Sequence, residues 1–576
     1  MERVNNNNIQ ISILAVTFLL VAVVIIARLF FLQILEYNYY ATLALDTHEI
    51  YQKINAKRGG IYFKDERSNI EYPAAVNKEY FLIYAVPKEI KETDIVSTTI
   101  GLANILKFSE EDKQLLLNKL SKRDSVYTVI AKKQTEDIID KIREANFNGI
   151  NFVGQQLRFY PENELAGNIL GFTGFNDQGG LQGSYGIEGY WDKILAGRSG
   201  FLEGELGAKG GWITLGKKTI IDAEDGANLV LTIDRSLELK ACELLRAGWK
   251  DFSAKTASLI LMNVKTGAIL SMCSLPDFDP NNYSKVTDQI VFNNTNIFTP
   301  YEPGSVFKPI TMAIALDLGL VNPNTNFSDP CKRYINGYEI NNALDKCYGQ
   351  ITMTQVLENS VNTGMIWVEE KIGKDLFREG VSRFGFGEKI GISLNTEAKG
   401  NISQLEDSRK SDVGYATASF GQGITVTPLQ LAVAYAALAN GGQMPKPYIV
   451  SEVRYANGRK EVATSEIIDN IISPRAAKLL TGMLTSVVEK TYARTVKLSD
   501  YYLAAKTGTA QIPGPGGYRN ETNHTVAGFF PANDPQFALV VKYEEPDQLW
   551  AESTAGPVFS KMADFTLKYY GVKSDR

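Results

Sequence analysis

The stretch Pro303-Gly304-Ser305-Val306-Phe307-Lys308 is followed by an apolar, helix-forming segment, Ile310 to Leu318. Its spacing reads as a serine nucleophile with its own lysine base. If Ser305 opens the helix, Lys308 lies one turn further on, and residues three apart share a face. The lysine nitrogen then comes within reach of the serine hydroxyl. A helix start also presents free backbone N–H groups and a partial positive charge, which favour an oxyanion and a neutral lysine. Pro309 lacks a donor and disfavours helical geometry at Lys308, so an irregular first turn is expected. Each residue has a plainer reading when taken singly. Ser305 would then cap a helix, and Lys308 would be a solvated charge like most lysines.

Two further triplets change that balance. Ser-x-x-Lys occurs once in the chain; Ser360-Val361-Asn362 follows it, and Lys506-Thr507-Gly508 comes last. The ordered trio marks penicillin-recognising serine acyltransferases. At this point the chain resembles a class B penicillin-binding protein, a peptidoglycan D,D-transpeptidase. Two decoys receive structural readings. Lys265-Thr266-Gly267 precedes the nucleophile and reads as a hairpin turn between strand-like runs. Ser393-Leu394-Asn395 sits in a glycine-flanked loop.

Composition narrows the alternatives. At 576 residues the chain is too long for one domain. A formal charge of −5 leaves no basic footprint, so nucleic acid is not expected as a partner. There are two histidines, His48 and His524, and a Ser-His-Asp triad would need one of them. His48 lies far from Ser305 and beside a candidate membrane span, and His524 has no partner pattern. A lysine base is the simpler choice. Four scattered cysteines show no metal-ligand spacing, and neither metal nor cofactor is expected.

From Ile9 to Leu35 the chain is almost wholly apolar. Its core, Ile11 to Ala27, would rise ~25 Å as a helix, close to the hydrocarbon thickness of a bilayer. Arg28 can snorkel to the interface. No Ala-x-Ala-like site follows to suggest a cleaved signal peptide. Only Arg3 and the amino terminus bear on orientation. The tail is placed inside, and the bulk outside, chiefly because the implied substrate is outside.

Residues 36 to about 225 read as mixed α/β, with amphipathic helices at 108–122 and 134–146. Arg58-Gly59-Gly60-Ile61, Arg158-Phe159-Tyr160-Pro161 and Gly186-Ile187-Glu188-Gly189-Tyr190 are similar to segments of the non-catalytic pedestal of the family; from the residues alone they are turns and strand ends. A glycine-rich run, Gly197 to Gly216, reads as a loop or hairpin. A second domain begins near Asp225, with a strand at Val230–Asp234 and a helix at 236–249. Capping boxes open helices at Thr352-x-x-Gln355 and at Thr427-Pro428-Leu429-Gln430. Ser360-Val361-Asn362 thereby falls on a turn between helices. A helix is expected at 474–490, a strand at Tyr501–Gln511, an antiparallel pair at Val526–Phe530 and Phe537–Lys542, and a closing helix near Val558–Tyr569. Ala418 to Gly423 and Thr425 resemble the family's Gly-Gln-Gly segment. Cys331 and Cys347 either form a disulfide closing a loop of about 16 residues, worth ~3 kcal/mol in the entropy model, or remain free thiols. Cys242 and Cys273 lie in apolar patterns and read as core residues.

The resemblance implies an α+β protein. It has a cytoplasmic tail (1–8), a single N-terminal transmembrane helix (9–35), an elongated mixed α/β pedestal of dimerisation type (36–225), a penicillin-binding/β-lactamase-like transpeptidase domain (226–570) built on an antiparallel sheet flanked by helices, and a short tail (571–576). It is expected in the bacterial inner (cytoplasmic) membrane as a single-pass protein with the catalytic domain extracytoplasmic. The resemblance also implies the chemistry. Ser305 attacks the penultimate D-alanine carbonyl, and Lys308 takes the serine proton. Ser360 relays it to the leaving amine. Lys506 and Thr507 meet the terminal carboxylate, Asn362 holds the peptide amide, and Gly508 allows close approach. Backbone N–H groups of Ser305 and Thr509 form the oxyanion hole, a kind of donor whose loss costs ~3–4 kcal/mol. The implied partners are peptidoglycan stem peptides as donor and amine acceptor, β-lactams as covalent inhibitors, and a polytopic glycan polymerase in the membrane. The compact segment after Lys506-Thr507-Gly508, read as a loop through Tyr518-Arg519-Asn520, looks more like the division type than the elongation type.

Two rivals remain. A β-lactamase shares the trio and needs a water-activating base; Glu397-Ala398-Lys399-Gly400-Asn401 matches loosely and is read as a structural turn. A β-lactam sensor would need several spans and a cytoplasmic signalling domain, and eight residues do not make one.

Overall fold

The structure is a computed structural model that describes residues 3–30, 50–177, 180–204, 219–406 and 412–576. It resolves into two compact units. One comprises 1–58 with 196–226, the other 59–195 with 227–576.

The first unit holds the helix Arg3–Phe30 and a three-stranded sheet. In that sheet Gly200–Gly204 pairs antiparallel with Ile50–Ile54 and with Thr219–Ile221. Of the two readings of the glycine-rich run, loop or hairpin, the antiparallel pairing with Thr219–Ile221 agrees with the hairpin; residues 205–216 of the run lie outside the described residues. The helix presents Val16, Phe18, Leu19, Leu20 and Val24 to solvent, at 59–68% exposure. Among the described residues no helix is long and apolar enough to cross a membrane. Residues 31–35 of the expected span lie outside them.

The second unit is built on a five-stranded antiparallel sheet. Its strands are β1 (Thr256–Asn263), β2 (Ile269–Leu275), β3 (Ala504–Gly514), β4 (Gly517–Phe530) and β5 (Phe537–Glu544), in the order β2-β1-β5-β4-β3. The turn at Lys265-Thr266-Gly267 joins the hairpin β1–β2, as the plain reading of that triplet required. The central strands are apolar on both faces because helices cover both. Leu259, Leu261, Leu539 and Val541 enter a core that includes Leu237, Leu245, Phe559 and Leu567, residues of the helices Arg235–Asp251 and Ala555–Tyr569. Ile260, Met262, Ala538 and Val540 enter a larger core on the other face, with the helices Lys308–Asp317, Asn362–Ile372 and Pro428–Ala439. Each fully buried aliphatic side chain contributes ~1.5–3 kcal/mol. Every residue of Pro428–Ala439 is buried, which explains why its sequence is apolar all round. Both expected capping boxes form, at Thr352/Gln355 and Thr427/Gln430.

A second sheet joins the earlier residues to the later ones. Asn228–Asp234 pairs parallel with Ile61–Asp65 on one side and antiparallel with Val450–Arg454 on the other. The strand Ile70–Ala85 continues the sheet and also pairs with Ile150–Phe159. A separate small core, with Ile83, Leu102, Leu120 and Ile139, packs the expected amphipathic helices, which run Glu110–Leu120 and Glu136–Ala145. The three segments read as turns and strand ends turn out to be one buried knot. Arg158 donates to Glu188 Oε1 at 2.6 Å and to the Gly59 carbonyl at 2.8 Å, with both ionic side chains almost wholly buried.

Two further readings are corrected. Residues 518–520 are not loop, because β3 and β4 continue as a hairpin with Gly514 opposite Gly517 and Pro513 opposite Tyr518. Cys242 and Cys273 are buried core residues, and they are also joined as a disulfide between the helix Arg235–Asp251 and β2. The open question at Cys331 and Cys347 closes as a disulfide.

Candidate active site

The irregular start that Pro309 demanded is present. Gly304–Phe307 forms a 3-10 turn, and the α-helix begins at Lys308 with Pro309 in its first turn. This turn is wedged between β3 and the segment 421–423. Gly421, at φ +84°, accepts at its carbonyl from Gly304 N–H at 2.9 Å, and a Cβ there would lie 2.2 Å from the Gly304 oxygen. On the other side, a Cβ on Gly508 would meet the Pro303 oxygen at 3.0 Å and Val306 N at 3.1 Å. The absent side chain of Gly508 is therefore taken up by the nucleophile turn.

The lysine does not meet the serine directly. Lys308 Nζ donates to the Ser360 carbonyl at 2.5 Å, Ser360 Oγ at 3.0 Å and Asn362 Oδ1 at 2.7 Å. Ser360 Oγ in turn donates to Ser305 Oγ at 2.9 Å. The hydroxyl of Ser360 is thus the bridge between amine and nucleophile. It is held there by an unusual backbone. Ser360 adopts φ +54°, a left-handed conformation that costs a non-glycine residue on the order of 1 kcal/mol and that clusters at functional sites. The turn is pinned by Ser360 N–H to the Leu357 carbonyl and Val361 N–H to the Val356 carbonyl, between the helices Met353–Glu358 and Asn362–Ile372.

Asn362 uses both ends of its amide, since Nδ2 donates to the Asn341 carbonyl at 2.8 Å. That carbonyl belongs to the segment closed by Cys331–Cys347. Asp329 organises the same segment by accepting from Thr363 Oγ1, Asn342 Nδ2 and Tyr348 N. One cleft wall is thereby tied to the amine's partners.

Lys308 is fully buried. Burial first, and the Lys506 ammonium second, hold its pKa well below the ordinary lysine value. Lys506, also buried, is brought down to about 8 by burial, and the Glu552 carboxylate pulls the other way. Its Nζ donates to the Thr507 carbonyl at 3.0 Å. Thr507 Oγ1 donates to Glu552 Oε1 at 2.6 Å, and Thr509 Oγ1 accepts from Ala551 N at 3.1 Å. The segment 550–553 is the opposite wall.

Ser305, Ser360, Asn362, Thr507 and Thr509 line one cleft of about 480 Å³. Leu344, Lys346, Tyr348, Trp550 and Glu552 line it too. The sequence reasoning missed these, because they lie in loops outside the three motifs. The nearest signal was the cysteine pair that brackets 344–346.

The residues set aside stay aside. His524 is buried between the Thr522 and Thr554 hydroxyls, 2.9 Å from each, and burial lowers its pKa to about 4. Glu397 accepts from the backbone N–H groups of Ile390, Gly391 and Ile392, a turn-forming role away from the cleft. Glu302, next to the nucleophile turn, is a further omission. It accepts from Gly423 N and from Tyr518 OH, both at 3.0 Å, and burial raises its pKa.

Comparison with known proteins follows the same lines. Residues 257–564 match the model of the penicillin binding protein transpeptidase domain, and 53–231 match that of the penicillin-binding protein dimerisation domain. Stage V sporulation protein D of Bacillus subtilis is 30% identical over 580 residues, covering 99% of this chain and 88% of that protein. Peptidoglycan D,D-transpeptidase FtsI of Escherichia coli is 30% identical over 532 residues, covering 91% of this chain and 85% of its own. The crystal structure of penicillin binding protein 2X from Streptococcus thermophilus superposes with a TM-score of 0.74 at 24% identity, over 91% of this chain and 81% of that one.

Proposed function

The chain belongs to the class B penicillin-binding proteins, and from that membership we infer that it is a peptidoglycan D,D-transpeptidase, cross-linking stem peptides through a serine acyl-enzyme. The observation that carries the site is the bridge Ser305–Ser360–Lys308, whose two serines line one cleft with Thr507 and Thr509. Ser305 Oγ attacks the penultimate D-alanine carbonyl. Its proton passes to Ser360 Oγ, whose own proton is taken by Lys308 in its neutral form, the form that burial favours. Lys506 and Thr507 bind the terminal carboxylate of the donor. Backbone N–H groups of Ser305 and Thr509 receive the oxyanion. When the C–N bond breaks, Lys308 returns the proton through Ser360 to the leaving D-alanine amine. An amine of a second stem peptide then attacks the ester by the same route. Asn362 orients Lys308 as well as the peptide. A β-lactam acylates Ser305; Glu397, the carboxylate that a β-lactamase reading would assign as the base for water, is committed to its own turn.

The remaining proposals concern setting. Residues 9–35 anchor the protein in the cytoplasmic membrane with the catalytic residues outside; the exposed apolar side chains from Val16 to Phe30 support this. The pedestal ends near 225 and the transpeptidase domain runs from 226 to 570. A role at the division septum is proposed from the resemblance of the segment after Lys506-Thr507-Gly508 to the division type. A polytopic glycan polymerase is the proposed membrane partner. Fluorescent penicillin tests the central claim. Wild type is expected to label and Ser305→Ala to remain unlabelled; equal labelling of the two removes Ser305 as nucleophile.

A further inference from the structure

Toward its tip the β3–β4 hairpin leaves the sheet. β4 pairs with β5 only from Asn523 to Phe530. Between Gln511 and Thr522 the hairpin therefore has no strand partner but itself among the described residues. A ribbon of two strands has little stability of its own, and most of this one is exposed. Two of its side chains reach the body of the domain. Arg519 Nη2 donates to Glu545 Oε1 at 2.9 Å, and Tyr518 OH donates to Glu302 Oε2 at 3.0 Å. The second contact ends one residue before Pro303, at the mouth of the nucleophile turn.

Glu302 is buried, and its other oxygen is also engaged: Oε1 accepts from Gly423 N–H at 3.0 Å. Tyr301 is held on the same two sides. Its hydroxyl accepts from Thr525 Oγ1 of β4 at 3.0 Å, and its backbone exchanges two hydrogen bonds of 2.9 Å with Val426. The lead-in to Ser305 is thus strung between β4 and the segment 421–426. Against β3 the turn lies close at Gly508 and at Ala510, whose Cβ would be 2.8 Å from a Cβ on Gly304. Such packing limits how near the two elements come, whereas a hydrogen bond also fixes direction. The alignment matters because the two proposed oxyanion donors belong to different elements, Ser305 N–H to the 3-10 turn and Thr509 N–H to β3.

We propose that Glu302 and Tyr518 form a latch that aligns the nucleophile turn with the β3–β4 hairpin, so that Glu302 is a positioning residue for the oxyanion hole. This rests on the transpeptidase reading above. Donors in such a hole act only where the developing charge will lie, and small displacements of a reacting group are costly in rate. Loss of the latch therefore slows the chemical step and leaves the first, non-covalent encounter with the ligand intact.

Stopped-flow acylation by fluorescent penicillin at rising concentration, on the full-length protein, separates the acylation rate constant from the dissociation constant of the preceding complex. Tyr518→Phe removes only a hydroxyl at an exposed site. It is expected to lower the rate constant roughly three- to tenfold with the dissociation constant unchanged. Glu302→Ala falls at least as far, and adding Tyr518→Phe to it costs nothing more. Glu302→Gln offers a carbonyl to Gly423 N–H and an amide N–H to the Tyr518 oxygen, and it retains more of the rate than Glu302→Ala. A Tyr518→Phe variant at the wild-type rate constant, a loss confined to the dissociation constant, or a double variant whose loss is the product of the two single losses overturns the proposal. Wild-type protein that does not label at all overturns the transpeptidase reading itself, a different result.

Discussion

Ser360 Oγ stands 2.9 Å from Ser305 Oγ and donates to it. In the proposed mechanism the motif serine is the relay through which Lys308 acts, in addition to its contact with the leaving group. Ser360→Ala is expected to cut penicillin acylation by roughly 10²–10⁴-fold, the range for a positioned proton-transfer group. Lys308→Ala should fall in the same range, and the double variant should lose little more than either single one, because the two act as a unit. Stopped-flow acylation rates for the three variants check this; additive losses would separate the two roles.

The missing Cβ of Gly508 is filled by the nucleophile turn. Gly508→Ala sets a methyl 3.0 Å from the Pro303 oxygen and 3.1 Å from Val306 N, both backbone atoms that yield poorly. A stability loss of ~1–3 kcal/mol is expected, the usual cost of overpacking, together with slower acylation at unchanged pH dependence. Denaturant melts and acylation rates on one preparation measure both.

Glu302 has a pKa raised by burial. A carboxyl raised in the folded state contributes stability that is fully present below its unfolded value and is lost as pH rises through the folded one. Glu302→Gln keeps an acceptor for Gly423 N–H and presents an amide to Tyr518. The variant's melting temperature relative to wild type should therefore climb between pH 4 and pH 8. A constant difference across that range contradicts the burial argument.

The Cys242–Cys273 disulfide spans 31 residues. The loop-entropy model assigns such a link roughly 3–4 kcal/mol. Cys242→Ala with Cys273→Ala should lower the unfolding free energy by about that amount in chemical denaturation, while penicillin labelling of the folded protein persists.

How much of this was legible in the residues depends on what each inference needed. Ser305, Lys308, Ser360, Asn362 and Lys506–Thr509 were singled out because their order along the chain is itself a pattern, and Ser305, Ser360, Asn362, Thr507 and Thr509 of them line one cleft. Pro309 announced the 3-10 turn, since a missing donor and a restricted predecessor act locally. The helices and both capping boxes were equally local. What escaped was non-local. Arg158 and Glu188 are 30 residues apart and looked like turn residues until burial paired them. Glu552 and Glu302 carry no motif, and their partners Thr507 and Tyr518 reach them across 45 and 216 residues. Tyr518 was misread because a polar, glycine-flanked segment resembles a loop, whereas pairing with β3 across the tip makes it strand.

The strand Asn228–Asp234 has a neighbour from residues before 100 on one side and one from residues after 440 on the other. Cutting the chain near 226 to isolate the catalytic half would strip away Ile61–Asp65 and leave a row of unanswered N–H and C=O groups along that strand. Such an exposed rim recruits other chains. The half-length protein should clump where the intact one stays dispersed, and the pedestal serves, among other things, as a sheath for its neighbour's raw edge.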